Sequence, residues 1–148
     1  MNSLPFLGGI ALICGALIAI QAQTNAVLLR SVGDVFWVAA ALFGVGFIYL
    51  ISLIIINRTP APNIAQFLSA PFWSFSGGII VATYVITITF LVPKIGVGNA
   101  IIFVVSGQII MAVLIDHWGL FNVPVKTIDF KRLSGIVLLL SGVYLAKA

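Results

Sequence analysis

Hydrophobic residues fill five long segments of this chain, and the charged residues lie between these segments or at their ends. Backbone N–H and C=O groups find no water in hydrocarbon, so a segment that crosses a bilayer must pair them internally as a helix. Such a helix needs about 20 apolar residues. The pattern predicts an all-α integral membrane protein, with one five-helix transmembrane domain over residues 1–148. The predicted spans are residues 4–29, 34–56, 71–92, 95–115 and 131–146.

The connections between these spans are of two kinds. Short links at residues 30–33 and 93–94 predict tight helical hairpins, the second containing a proline. The longer link at 57–70 contains Pro60 and Pro62, which block helix continuation. Gly119 is a natural stop for the fourth span. The fifth span is the shortest, and we expect the basic residues at its start to extend toward the headgroups.

Composition excludes several classes of function. Hydrophobic residues make up 62% of the chain, and its net charge of +4 comes from basic residues scattered among membrane loops rather than gathered on an aqueous face. We therefore expect no nucleic-acid partner. The sequence has no metal-ligand cluster, no nucleophile beside a base and no phosphate-binding glycine loop. These observations predict a protein that is not an enzyme and uses no cofactor or metal.

The basic residues are nearly balanced between the two sides of the membrane. With the N-terminus inside, four would be cytoplasmic and three would lie opposite. This bias is too weak to fix orientation, so the chain is predicted to insert both ways up; the alternative is a single N-inside topology set by the last loop. The cytoplasmic set is Arg58, Lys126, Lys131 and Arg132, and the opposite set is Arg30, Lys94 and Lys147.

Polar residues inside the spans are the candidates for function. Gln21 and Asn25 are four residues apart and share one face of the first helix. Carboxamides must be hydrogen-bonded in hydrocarbon. This face therefore either bonds to another helix or lines a substrate path. Gln108 lies near the middle of the fourth span, and Trp73 and Tyr84 lie near one face of the third, where they either contact a ligand or form packed core.

Two further groups of residues are candidates for other roles. Gly135, Ser141 and Gly142 give the fifth helix a small face, which predicts either a dimer contact or close packing within one chain. Asp116 and His117 form a titratable pair at a membrane interface. The chain has no Glu, and its aspartates lie at or beyond the span ends. It thus lacks the mid-membrane carboxylate that proton relays and cation sites use.

An ordered series of motifs resembles the YdcZ-type short transporters of the bacterial drug/metabolite transporter superfamily. The resemblance covers essentially the whole chain, and it depends on the series rather than on any single motif. The series is Gln21-x-x-x-Asn25-x-x-Leu28, Gly33, Pro71-x-Trp73-x-x-x-Gly77-Gly78, Pro93-x-x-Gly96, Gly107-Gln108, Asp116-His117-Trp118-Gly119-Leu120, Arg132-x-x-Gly135 and Gly142.

The resemblance implies a five-helix unit equivalent to half of a ten-helix transporter with inverted repeats, in the bacterial inner membrane. Such repeats place the substrate near the bilayer midplane, between two oppositely oriented units. One five-helix chain would meet this requirement as an antiparallel homodimer, in agreement with the weak charge bias. We expect a transporter that moves a small neutral, zwitterionic or amphiphilic organic solute by alternating access. The alternative is a non-transporting subunit or assembly factor of a larger complex.

Overall fold

The computed structural model describes residues 3–146, which form helices and connecting turns with no β-strand among them. Lys147, one of the cations in the predicted charge balance, lies outside the described residues. Six α-helices and two short 3-10 turns follow one another along the chain. They are α1 (Ser3–Val32), α2 (Val35–Ile56), α3 (Ile64–Leu68), a 3-10 turn (Phe72–Phe75), α4 (Ser76–Ile95), α5 (Val97–Trp118), a 3-10 turn (Leu120–Asn122) and α6 (Phe130–Ala146).

The link between α1 and α2 is as short as the sequence predicts. Gly33 has a φ of +81°, which suits glycine, and its N–H donates to the Leu29 carbonyl 2.8 Å away. The Asp34 carboxylate then accepts the N–H groups of Phe36 and Trp37, at 2.9 and 3.0 Å. This N-cap satisfies backbone donors that would otherwise be unpaired at the start of α2. The two helices pack against each other as a hairpin.

The longer link after α2 contains a short helix that the sequence interpretation did not include. Asn63 caps α3 by accepting the Ala65 N–H, while the Gln66 side chain accepts the Asn63 N–H at 3.0 Å. This reciprocal arrangement is a capping box. Pro60 and Pro62 lie before α3, in the non-helical part of the link, as predicted.

The predicted break at residues 93–94 was wrong. Pro93 lies inside α4, which continues to Ile95, and the chain turns instead at Gly96, where φ is +80°. A proline close to a helix C-terminus removes only one backbone hydrogen bond, and few residues follow it. The Lys94 ammonium lies 3.5 Å from the centroid of the Phe90 ring, a cation–π contact at the helix end where positive charge is favourable.

The end of α5 matches the prediction. Gly119 adopts the left-handed conformation (φ +62°) and donates its N–H to the Ile115 carbonyl. A Cβ at this position would lie 2.6 Å from the Val125 side chain. Both the backbone conformation and the available space therefore require glycine.

Four stretches of the described chain are long and apolar enough to cross a membrane: Pro5–Val32, Val35–Ile56, Phe72–Ile95 and Val97–Trp118. These confirm the all-helical membrane fold and its first four predicted spans. Helix α6 has 17 residues, a length of about 26 Å at 1.5 Å per residue, and is not among the four.

The described residues form two compact units, an N-terminal unit that ends at Lys94 and a C-terminal unit that begins at Ile95. The N-terminal unit contains α1, α2, α3 and nearly all of α4. In the C-terminal unit, α5 packs against α6. The buried apolar residues of the N-terminal unit are mostly small or β-branched: Ala22, Ala26, Val38, Ala39, Val85, Ile88 and Val92.

Candidate functional site

A groove of about 510 Å³ lies between three helices of the N-terminal unit. On α2, its residues repeat at intervals of three and four, so they form one helical face. Gln21 of α1 is the polar side chain among the described residues of the wall, and Gly46 of α2 leaves space for the groove. The lining residues are Gln21, Leu42, Phe43, Gly46, Phe47, Leu50, Val81 and Val85.

Two side chains of the same unit are fully buried with unused hydrogen-bonding atoms. Asn25 and Thr89 are each 0% exposed. Among the described residues, the amide oxygen and nitrogen of Asn25 and the hydroxyl of Thr89 are the buried side-chain atoms without a hydrogen-bond partner. An unsatisfied buried polar group costs about 1–3 kcal/mol. Neither side chain therefore stabilises this conformation, so each needs another explanation.

Besides its hydroxyl, Thr89 of α4 has a backbone carbonyl that lacks its usual hydrogen-bond donor. In an α-helix the Thr89 carbonyl would accept the N–H of residue 93, but that residue is Pro93, which has no N–H. The buried hydroxyl and a carbonyl without its usual donor thus belong to the same residue. By contrast, the Thr83 hydroxyl on the same helix donates to the Ile79 carbonyl, 2.9 Å away.

The structure brings together part of the predicted substrate path. Gln21 is half-buried in the groove wall, and Asn25 lies one turn further along α1. Tyr84 is half-buried on α4, next in sequence to the lining residue Val85. Trp73 lies in the 3-10 turn before α4, where it is 57% exposed, and it does not line the groove.

Gln108 lies on α5, in the C-terminal unit, and its side chain is exposed in the protomer. It falls inside the span Val97–Trp118, where hydrocarbon offers a carboxamide no hydrogen bond. Asn99 of the same helix satisfies its amide nitrogen locally, donating to the Ile95 carbonyl at 2.9 Å. Asn99 is therefore a helix-start group, while Gln108 still needs a polar partner.

The small residues of α6 lie on the protomer surface. Gly135, Ser141 and Gly142 are exposed, and the Ser141 hydroxyl donates to the Val137 carbonyl at 2.8 Å. A Cβ added at either glycine would meet nothing within 4 Å. In this protomer the glycines do not enable a close helix contact.

Asp116 and His117 have different partners, although they are adjacent in sequence. The Asp116 carboxylate forms an ion pair with Arg132 at 2.9 Å, across the link between α5 and α6. The Nδ1 atom of His117 accepts the Ile128 N–H at 3.2 Å. Arg132 also donates to the Lys126 carbonyl at 3.2 Å. These contacts connect the last link to the ends of both helices, and they indicate a structural role for this pair.

The sequence interpretation missed Thr89 and the aromatic wall formed by Phe43 and Phe47. The available signal for the wall was the spacing of Phe43, Gly46, Phe47 and Leu50, which puts two rings and a notch on one helical face. Thr89 had a weaker signal, its position four residues before a proline.

The chemical groups of this arrangement are suited to binding a small molecule. The groove offers aromatic and aliphatic surface with one carboxamide, and the two unpartnered side chains offer hydrogen-bond donors and acceptors without formal charge. The described residues contain no group of three or more His, Cys, Asp or Glu side chains placed to hold a metal ion. An apolar wall with a few polar groups is the usual composition of a small-molecule site.

Comparison with known proteins agrees with this chemistry. A family model described as "Putative inner membrane exporter, YdcZ" matches residues 6–145, nearly the whole chain. No curated protein and no solved structure matches the chain significantly. The family match and the apolar helices confirm the predicted resemblance and the inner-membrane location, and the family's description supports the predicted membrane transporter. The chain belongs to the YdcZ family of the drug/metabolite transporter group, as a multi-pass membrane transporter of the inner membrane.

Proposed function

We propose that this protein moves a small organic solute across the inner membrane, and that the solute passes the groove between α1, α2 and α4. The observation that carries the proposal is the buried, unpartnered amide of Asn25, one turn from Gln21 in the groove wall. A transporter needs polar groups that are free to bond to its solute as the conformation changes. Asn25 and Thr89 have this property, and Gln21 makes the first polar contact.

The transport cycle that we propose is alternating access in an antiparallel homodimer. Its support is the weak charge bias, together with the inverted-repeat architecture that the resemblance to this transporter family implies. Gln108 adds a physical reason, because an exposed carboxamide within a span needs protein or water to bond to. A second copy would supply that environment. The exposed small face of α6, with Gly135, Ser141 and Gly142, is the proposed contact between copies.

In this proposal α6 is the fifth span. Its length of about 26 Å falls slightly short of the roughly 30 Å of hydrocarbon. Lys131 and Arg132, in its first turn, can extend their charged ends to the headgroups. Five spans put the two termini on opposite sides of the membrane.

Thiol accessibility tests the proposed path without knowledge of the solute. Cys14 is the chain's single cysteine, so a Cys14→Ala background allows one cysteine to be placed at will. We expect Gln21→Cys to react with a membrane-impermeant methanethiosulfonate at least about tenfold faster than Ile20→Cys, because thiolate forms only where water reaches. Ile20 is the matched control, 59% exposed on the same helix and absent from the groove wall. Equal, slow reaction at both positions would contradict a substrate path at Gln21.

A C-terminal reporter pair tests the dimer. Two reporters, each active on one side of the membrane, are fused in turn to the chain. Activity of both indicates insertion in two orientations and supports the antiparallel pair. Activity of only one would overturn the self-paired inverted dimer and would favour a partner chain of opposite orientation.

A further inference from the structure

The charge of the groove and of its surroundings points to the chemical class of the solute. We infer that the site selects uncharged molecules with an aromatic body and one hydrogen-bonding group, such as an amide or hydroxyl, over cations, anions and zwitterions. This inference rests on the proposed function, since it concerns the same groove. The sequence alone allows neutral, zwitterionic or amphiphilic solutes, and this inference restricts the chemical class of the solute to neutral molecules.

The first support is the composition of the wall. None of its described residues carries a formal charge, and its one carboxamide, Gln21, can donate and accept hydrogen bonds. Phe43 and Phe47 are one helical turn apart on α2, with Gly46 between them. Two rings beside a residue without a side chain give a flat ligand aromatic surface and space to lie against it. The volume of about 510 Å³ is that of a small-molecule site.

The second support is the position of every carboxylate. The chain has three aspartates and no glutamate, and each aspartate already has a role in the structure. Asp34 caps α2, Asp116 pairs with Arg132, and Asp129 accepts the Arg132 N–H at 2.7 Å. A cation in the groove would therefore meet no counter-ion. The rings attract a cation only weakly and do not replace a carboxylate in hydrocarbon.

The same reasoning applies to anions and zwitterions. The basic side chains of the described residues lie at helix ends and in links, whereas the groove lies within spans. The free energy needed to desolvate an unpaired charge is far larger than the free energy gained from a hydrogen bond to a neutral amide. Asn25 and Thr89, the unpartnered groups of the same unit, are also uncharged. Each polar group available to a solute along this path thus favours a neutral one.

Three naphthalene derivatives of nearly equal shape separate neutral, cationic and anionic ligands, and a zwitterion carries both kinds of charge that these probes test. The full-length protein in lipid nanodiscs is dialysed to equilibrium against 2-naphthamide, its amidine or 2-naphthoate, with empty nanodiscs as the blank. These probes are neutral, cationic and anionic. We expect saturable binding of 2-naphthamide, at least about tenfold tighter than binding of either charged probe. We also expect Gln21→Leu to weaken 2-naphthamide roughly fivefold through the lost hydrogen bond, without weakening naphthalene itself.

Two glycine variants show whether binding occurs in the groove. Gly46→Leu fills it, and Gly44→Leu adds the same side chain to α2 outside the groove wall. A Cβ at either position meets nothing within 4 Å, so both variants are expected to fold. We expect Gly46→Leu to abolish the binding of 2-naphthamide and Gly44→Leu to leave it unchanged.

Two outcomes would overturn the inference. Equal or tighter binding of a charged probe, lost in Gly46→Leu, would reject the uncharged class and keep the groove as the site. Absence of any binding that Gly46→Leu removes would reject the groove ligand altogether. Thiol accessibility then separates the two proposals, because a reactive Gln21→Cys retains the proposed path while an unreactive one rejects it as well.

Discussion

The buried polar side chains of the two units differ in their hydrogen bonding. In the N-terminal unit, Asn25 and Thr89 are fully buried and their side-chain polar atoms have no partner. In the C-terminal unit, Ser106 is 7% exposed, yet its hydroxyl donates to the Ile102 carbonyl at 2.7 Å. Asn99 likewise bonds to the carbonyl of Ile95. The units therefore differ in whether their buried polar side chains are satisfied, whereas outside these buried positions Thr83 of the N-terminal unit is hydrogen-bonded and the exposed Gln108 of the C-terminal unit still needs a partner.

This difference in hydrogen bonding distinguishes polar residues that stabilise the fold from polar residues that do not. A satisfied polar group contributes about 1 kcal/mol to stability, whereas an unsatisfied buried one costs about 1–3 kcal/mol. Selection for stability alone would replace Asn25 and Thr89 by apolar residues. It would keep Ser106, because the hydroxyl of Ser106 is hydrogen-bonded. Groups kept at a cost are typical of sites that bond to something during function. The comparison therefore supports the proposal that the solute contacts the N-terminal unit, and it is consistent with structural roles for the hydrogen-bonded residues of the C-terminal unit.

The largest expected effect is in the C-terminal unit, where Gly119→Ala should break the end of α5. Alanine would have to adopt a left-handed conformation, and its Cβ would lie 2.6 Å from the Val125 side chain. We expect a loss of about 3 kcal/mol in the free energy of unfolding, measured by denaturation in mixed micelles. Gly98→Ala is the control, since it lies in α5 with nothing within 4 Å. Equal stability of the two variants would contradict this role of Gly119.

Hydroxyl removal should have opposite effects in the two units. We expect Thr89→Val to raise the free energy of unfolding by about 1 kcal/mol, because it removes an unsatisfied buried hydroxyl. Ser106→Ala should lower it by a similar amount, because it removes a hydrogen bond. Both variants are measured in the same unfolding assay. If both variants changed the free energy of unfolding in the same direction, the proposed difference between the buried hydroxyls of the two units would be contradicted.

A smaller effect is expected from the ion pair of the last link. Asp116 and Arg132 are each 34% exposed at the side chain, so solvent screens their attraction. We expect Asp116→Asn to cost about 0.5–1 kcal/mol at low salt and nearly nothing at high salt, in unfolding experiments at the two ionic strengths. A large loss that persists in high salt would show that the pair does more than link α5 to α6.

Much of this fold could be predicted from hydropathy, because lipid leaves a long apolar segment no alternative to a helix. The helix end at Gly119 followed from local chemistry in the same way. The prediction at Pro93 was wrong, because a proline removes one hydrogen bond to the preceding turn but does not prevent the residues after it, here Lys94 and Ile95, from continuing the helix. Helix α3 was missed, although Asn63 and Gln66 have the spacing of a capping box.

The site was harder to predict, for a physical reason. Threonine in a membrane helix can bond to a carbonyl of the preceding turn, and the sequence does not show which threonines do so. Thr83 bonds to its own helix, and Thr89 does not. Gln21 and Asn25 could be selected because two carboxamides on one face are unusual in an apolar span. The helices that surround them, and the rings of Phe43 and Phe47, depend on tertiary packing.

We infer that the buried polar groups of the N-terminal unit are kept for function and not for stability. The most direct test is the free energy of unfolding of Asn25→Leu, with Asn99→Leu as the corresponding change in the C-terminal unit. We expect Asn25→Leu to be more stable than the parent protein by about 1–3 kcal/mol, and Asn99→Leu to be less stable by about 1 kcal/mol. A loss of stability in Asn25→Leu equal to that in Asn99→Leu would contradict the claim, because Asn25 would then be a structural hydrogen-bonding residue.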